Sequence, residues 1–262
     1  MYYTFDVQTA AQRFQDEIPR WFAPGPGAVY TFVGAGGKST AMRKVASMLA
    51  HGGIRVRLTT TTRVGIAEFQ GWTVQMVRNP TEAQQAIDGP EPLKLLAAGV
   101  VPGQDKYAGV DAGLVDAIRL PADIVLLVEG DGSRRLPAKV PREHEPVVPS
   151  GSRTVLAFVG ASALDEPLDE LRCYNHEGAL ALLGRTGSSL GAAEMAALAA
   201  HHHGLRKGLL PSMAFRLVIN QGDLPAKRAT ALLALRLAWE RDGIEGALAS
   251  FQEGELYGTS RD

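Results

Sequence analysis

An α/β fold, three-layered, with a mostly parallel sheet covered by helices on both faces, is what this sequence predicts. Three observations carry that prediction. Short, continuously apolar runs such as "IVLLV" and "TVLAFVG" read as strands buried on both faces. These runs alternate with stretches of helical periodicity. The polar motifs fall just after the apolar runs, at the strand ends where open α/β sheets bind ligands. The chain has 262 residues, of which 45% are hydrophobic, enough for one sizeable core. No internal repeat of about 20–50 residues is visible, which argues against a solenoid. Residues 1–262 read as a single domain, with a short N-terminal helix at about 7–18 and a small insertion at about 64–120.

Residues 7–18 place Val7, Ala10, Ala11, Phe14 and Ile18 on one side of a helix, and "APGPG" at 23–27 breaks it. Residues 28–33 read as a buried strand. A glycine loop follows, then a helix over 39–51 closed by Gly52 and Gly53. "IRVRLTTTT" is a second strand, β-branched at its end. Within 64–120, "WTVQMV" and "LLAAGVV" read as strands, "YAGV" as a turn and "DAGLVDAI" as a helix. "ADIVLLVEGDGS" carries the strongest buried-strand signal, an apolar run ending in an acid. A proline-rich loop, "LPAKVPREHEPVVPSG", comes next. "TVLAFVG" is a strand, "EGALALLG" and "AAEMAALAAHHH" are helical, and "AFRLVIN" is a strand. "AKRATALLALRLAWERDG" is a long helix whose Leu232, Leu233, Leu235 and Leu237 belong in the core. "ALASF" reads as a last strand.

Lys plus Arg number 27 against 28 Asp plus Glu, a net charge of −1. With no basic field, nucleic acid is not the expected partner. Cys173 is the single cysteine, which fits a reducing compartment. The first residues show no signal-peptide pattern, and the apolar runs fall far short of the ~20 residues of a membrane span. A cytoplasmic protein without membrane attachment is expected. Cys173 and His176 form a C-x-x-H pair without a second pair, so a structural zinc site is not expected. His201–His203 read as the end of a helix.

The loop "VGAGGKST" holds the chemistry. A phosphate-binding loop needs glycines, so that backbone N–H groups converge on phosphate oxygens. It needs a lysine for the β/γ-phosphates, a hydroxyl for Mg²⁺ and a helix whose N-terminus favours anions. Gly34, Ala35, Gly36, Gly37, Lys38, Ser39 and Thr40 supply all of these. The spacing is the shorter G-x-x-G-K-[ST]-[ST], similar to that of the Mur ligases. A dinucleotide fingerprint fails, because its third glycine would be Ser39. In "VEGDGS", Glu129 and Asp131 end a buried strand, where an acid holds Mg²⁺ or orients its water. Either one can take that role.

Three further motifs sit at strand ends. Thr60, Thr61 and Thr62 offer hydroxyls beside the phosphate site. In "INQGD", Asn220 and Asp223 fit N-K-x-D, whose aspartate reads guanine, with Gln221 in place of lysine; base contact leaves ATP or GTP open. Lys139, His144 and Glu145 lie on the proline-rich loop, placed to act as a substrate lid or switch.

With these motifs in order, the chain resembles the YqeC-like family of selenium cofactor biosynthesis accessory proteins, within the P-loop NTPase superfamily. The matching pieces are "FVGAGGKST", "RLTTTTR", "VLLVEGDGSRRLPAKVPREHEPVVPS" and "RLVINQGD", spanning about residues 31–223. The resemblance implies a P-loop NTPase-like fold and an accessory role in maturing selenium-dependent molybdenum hydroxylases. It also implies partners among those hydroxylases or their cofactor-synthesis enzymes. The expected activity is Mg²⁺-dependent nucleotide binding and hydrolysis, with Lys38, Glu129 and Asp131 catalytic. The alternatives are a small-molecule kinase or ATP-dependent ligase, and a non-catalytic module gated by nucleotide.

Overall fold

The computed structural model describes residues 7–184 and 189–262. From the start come α1 (Val7–Glu17), β1 (Val29–Gly34), α2 (Lys38–His51) and β2 (Arg55–Thr60). Next are β3 (Arg63–Gly65), β4 (Thr73–Met76), α3 (Pro80–Asp88), β5 (Leu93–Ala97), β6 (Gly99–Val100), β7 (Lys106–Ala108) and α4 (Ala112–Asp116). Then follow β8 (Ile124–Glu129), β9 (Ala138–Lys139), β10 (Thr154–Gly160), β11 (Cys173–Tyr174), α5 (His176–Leu183) and α6 (Ala192–Ala200). The last part holds β12 (Ala214–Asn220), α7 (Arg228–Asp242), β13 (Glu245–Ser250) and β14 (Glu255–Thr259).

Nine strands form the main sheet in the order β14-β13-β12-β10-β1-β8-β2-β5-β4. Every pairing is parallel except β13 with β14. Successive side chains of a strand face opposite layers, so a strand covered on both sides is apolar throughout. In β1, Tyr30 and Phe32 pack into the layer that holds Met42, Val45 and Leu49 of α2. Val33 faces the other layer, with Met195 of α6 and Leu235 of α7. Phe22, Phe32 and Phe158 stack in succession across the first layer and Phe251 tilts against Phe158, with ring centroids 5.4–5.8 Å apart.

Of residues 64–120, β4, α3 and β5 extend the main sheet and its cover; β3, β7 and β6 form a separate antiparallel sheet. Tyr107 and Ala108 are therefore strand where a turn is expected. Four elements, α3, β14, β9 and β11, match no expected helix or strand. In α3, Asn79 caps the helix by accepting from Glu82 N at 2.9 Å, while Glu82 accepts from Arg78 N. In β14, "ELYGT" closes the sheet edge and α1 packs against it. The pairing of β9 with β11 is only two residues long. In α7, Ala231, Ala234, Leu235 and Ala238 are buried, but Leu233 is 49% exposed, because the helix shows the core only one stripe. No helix among the described residues is long and apolar enough to cross a membrane.

Candidate functional site at the glycine loop

β1 ends in the glycine loop, and the chain turns there through left-handed conformations at Gly34, Gly36 and Gly37, with φ of 89°, 77° and 103°. A Cβ on Gly36 would lie 2.0 Å from the Gly160 nitrogen, so only glycine lets the loop press onto the end of β10. The first loop N–H groups turn inward. Gly34 N donates to Asp131 Oδ2 at 3.1 Å, Ala35 N to Phe158 O at 2.8 Å, and Gly36 N to Leu136 O at 3.2 Å. The start of α2 is different. Its cap residue, Gly37, is exposed and no side chain caps the helix. The N–H groups of Lys38, Ser39 and Thr40 have no acceptor within the helix, and its dipole favours an anion there.

Lys38 is only 3% exposed. Its ammonium donates to Gly34 O, lies 3.1 Å from Asp131 Oδ1 and 4.0 Å from Glu129 Oε1. Asp131 is fully buried. Its Oδ1 makes an ion pair with Lys38 but lies outside hydrogen-bond geometry, so that oxygen has no hydrogen bond among the described residues. Glu129 lies in register between Phe32 of β1 and Thr60 of β2. Ser39 Oγ is 3.3 Å and 3.4 Å from its two carboxylate oxygens. Burial, foremost, pushes the Glu129 carboxyl up to about 7, with Asp131 and Glu68 adding to the rise and Lys38 and Ser39 opposing it.

Neighbouring strand ends tie this centre together. Thr61 N donates to Glu129 O at 2.9 Å, and the hydroxyls of Thr60 and Thr61 reach the same carbonyl. Among the described residues, the Thr62 side chain and N–H bond only to Thr60. Asn220 is buried, with Nδ2 donating to Gly36 O at 2.8 Å and Oδ1 accepting from Phe251 N at 3.1 Å. Gln221 holds β12 to the end of β10, because its Oε1 accepts from the Ser162 hydroxyl at 2.7 Å.

The 132–149 segment folds back over the acids. Lys139 is buried, donates to Gly132 O at 2.6 Å, and lies 3.1 Å from Asp131 Oδ2 and 2.9 Å from Glu145. The site thus sets Lys38 and Lys139 against Asp131 and Glu129. Lys139, expected on a substrate lid or switch, is a buried counter-ion. Two expected site residues stand apart: His144 and Asp223 are exposed and make no hydrogen bond or ion pair among the described residues. Leu136 acts through a backbone carbonyl that no motif marks, and Gln221, in the lysine position of N-K-x-D, takes a packing role that the motif does not suggest.

The fold and site define a mostly parallel α/β protein with a glycine-rich strand-to-helix loop built onto buried acids. The profile of the family described as "YqeC protein" matches residues 30–177. That span covers the loop, both acids and Tyr174. A curated relative, "Uncharacterized protein YqeC" of Escherichia coli (strain K12), is 31% identical over 183 residues, covering 69% of this chain and 71% of the relative. The chain belongs to the YqeC family.

Proposed function

We propose that this protein binds ATP or GTP with Mg²⁺ at the Lys38 loop and hydrolyses it. Its biological role on this reading is accessory, in the maturation of selenium-dependent molybdenum hydroxylases or their cofactor. That role is supported by the family's resemblance, and the chemistry by one observation above all. Lys38 is buried against Asp131 at the open, uncapped start of α2. A buried lysine beside free helix N–H groups is a site for phosphate oxygens.

On this reading the phosphates lie against the N–H groups of Lys38, Ser39 and Thr40, with Gly34, Ala35, Gly36 and Gly37 shaping the loop. Lys38 turns from Asp131 to the phosphates. The Ser39 hydroxyl and Glu129 carboxylate are hard oxygen donors already in contact, and fit Mg²⁺. Among the described residues no cluster of three or more His, Cys, Asp or Glu could hold a metal alone. Ser39 and Glu129 would hold that ion, which supplies charge neutralisation when bound. Asp131 Oδ1, which lacks a hydrogen bond, positions the attacking water once Lys38 has turned away. Asn220 keeps the loop in shape.

The test is titration of ATP and GTP, with and without Mg²⁺, into the wild type and Lys38→Ala. The variant should bind about 10-fold or more weakly, the scale of a lost charge-assisted contact. In a thermal shift, ligand at ~100 times its Kd should stabilise the wild type by about 2.7 kcal/mol. Equal affinity in both proteins would sink the reading.

A further inference from the structure

We propose a second anion site, in which Arg134 and Arg142 clamp the oxyanion of a small acidic molecule over the ring of Tyr174, with the body of that molecule in the adjoining cleft. The guanidinium carbons of Arg134 and Arg142 lie 5.2 Å and 4.7 Å from the centroid of the Tyr174 ring. Lys139 Nζ lies 4.9 Å from the same centroid, but Asp131 and Glu145 already answer its charge. The two arginines are exposed, and among the described residues neither guanidinium makes an ion pair or a hydrogen bond. The fold therefore brings two unanswered positive charges to one ring. Attraction to the ring face is weak at exposed positions and does not cancel their repulsion. An oxyanion between them does, and the planar guanidinium fork matches a phosphate or a carboxylate.

The backbone holds this arrangement against its own preference. Arg134 and Arg135 are the central residues of a turn closed by Leu136 N to Ser133 O at 3.0 Å. Their φ angles are 52° and 64°, so two arginines occupy left-handed positions that glycine or asparagine ordinarily fill. The turn cannot relax easily, because Leu136 O accepts from Gly36 N and Pro137 O accepts from Gly160 N at 2.7 Å. Strain held in place by surrounding bonds marks functional segments.

Beside the ring opens a cleft of about 500 Å³, whose walls include Arg142, Lys207, His203 and Asn175 and the acids Glu143 and Glu177. That is the volume of a pocket for a small molecule. Arg142 belongs to both the ring cluster and the cleft wall, so an oxyanion at the ring leaves its remainder in the cleft. The site does not depend on nucleotide at Lys38, although Lys139 touches both Asp131 and Tyr174.

Calorimetric titration of inorganic phosphate, and separately of succinate, with no nucleotide present, tests the proposal. The proteins are the wild type, Arg134→Ala, Arg142→Ala, Arg142→Lys and Lys38→Ala. Both arginine-to-alanine variants should bind the preferred anion about tenfold more weakly, and Arg142→Lys should recover part of the loss. Lys38→Ala should lose only the phosphate that binds at the glycine loop, so its succinate isotherm should stay within about twofold of the wild type. Which anion binds more tightly identifies the oxyanion. Wild-type binding of neither anion, or equal binding by the wild type and both arginine-to-alanine variants, overturns the site.

Discussion

Glu129 is a carboxylate that the fold has taken out of water, and its titration follows from that. Its folded value is raised from 4.5 to about 7, so between those values the folded state holds a proton that the unfolded chain releases. The stability this contributes is full below the lower value and is lost as pH rises through the upper one. Urea denaturation at about pH 5 and about pH 8 should show the wild type losing roughly 3 kcal/mol relative to Glu129→Gln, which cannot ionise. Gly36 makes a different demand. Its left-handed φ and the 2.0 Å approach to Gly160 N leave no room for a methyl group. Gly36→Ala should cost about 3 kcal/mol in denaturant melts, from conformational strain and overpacking together. These residues were legible because loop spacing and a strand-end acid are local patterns. Lys139 was legible as a loop candidate but not as a buried counter-ion, because what buries it is the return of the 132–149 segment over Asp131. The Arg134–Arg135 turn was invisible, since its residues contradict the turn type they adopt.

Among the elements, α3 shows how a helix can be held by one distant side chain. Arg57 of β2 is fully buried and donates to the carbonyls of Ala86, Ile87, Gly89 and Glu91. Those carbonyls lie at and just beyond the end of α3, where helix geometry leaves acceptors unpaired. Burial lowers the guanidinium's pKa foremost, with Arg55 adding to the fall. Arg57→Met keeps the bulk but strands those carbonyls. It should cost roughly 3 kcal/mol and raise amide exchange through α3 before the central strands open. In sequence, Arg57 is the second arginine of the alternating stretch "IRVRL" and gives no hint of this task. α3 itself could have been found from Asn79, Pro80 and Glu82, a capping pattern ahead of a weakly apolar stretch. β14 offered less, because an antiparallel edge strand after a run of parallel ones has no periodicity of its own.

At the scale of the molecule, the parallel sheet and its two helical layers were readable because doubly covered strands must be apolar from end to end. Strand order was not, since it depends on which runs meet after the chain has doubled back. That order has a consequence for the chain as it is made. β1 is the earliest strand, yet it lies at the middle of the sheet, and its neighbours β8 and β10 come from residues 124–129 and 154–160. The glycine loop waits longer still. Gly36 is held by Leu136 on one side and Asn220 on the other, and Asn220 is itself held by Phe251. Contacts this distant in sequence form slowly and late. A nascent chain can lay down β1 and α2 early, but the loop between them takes its final shape only after Phe251 has been synthesised, so a shaped loop certifies that synthesis has passed that point.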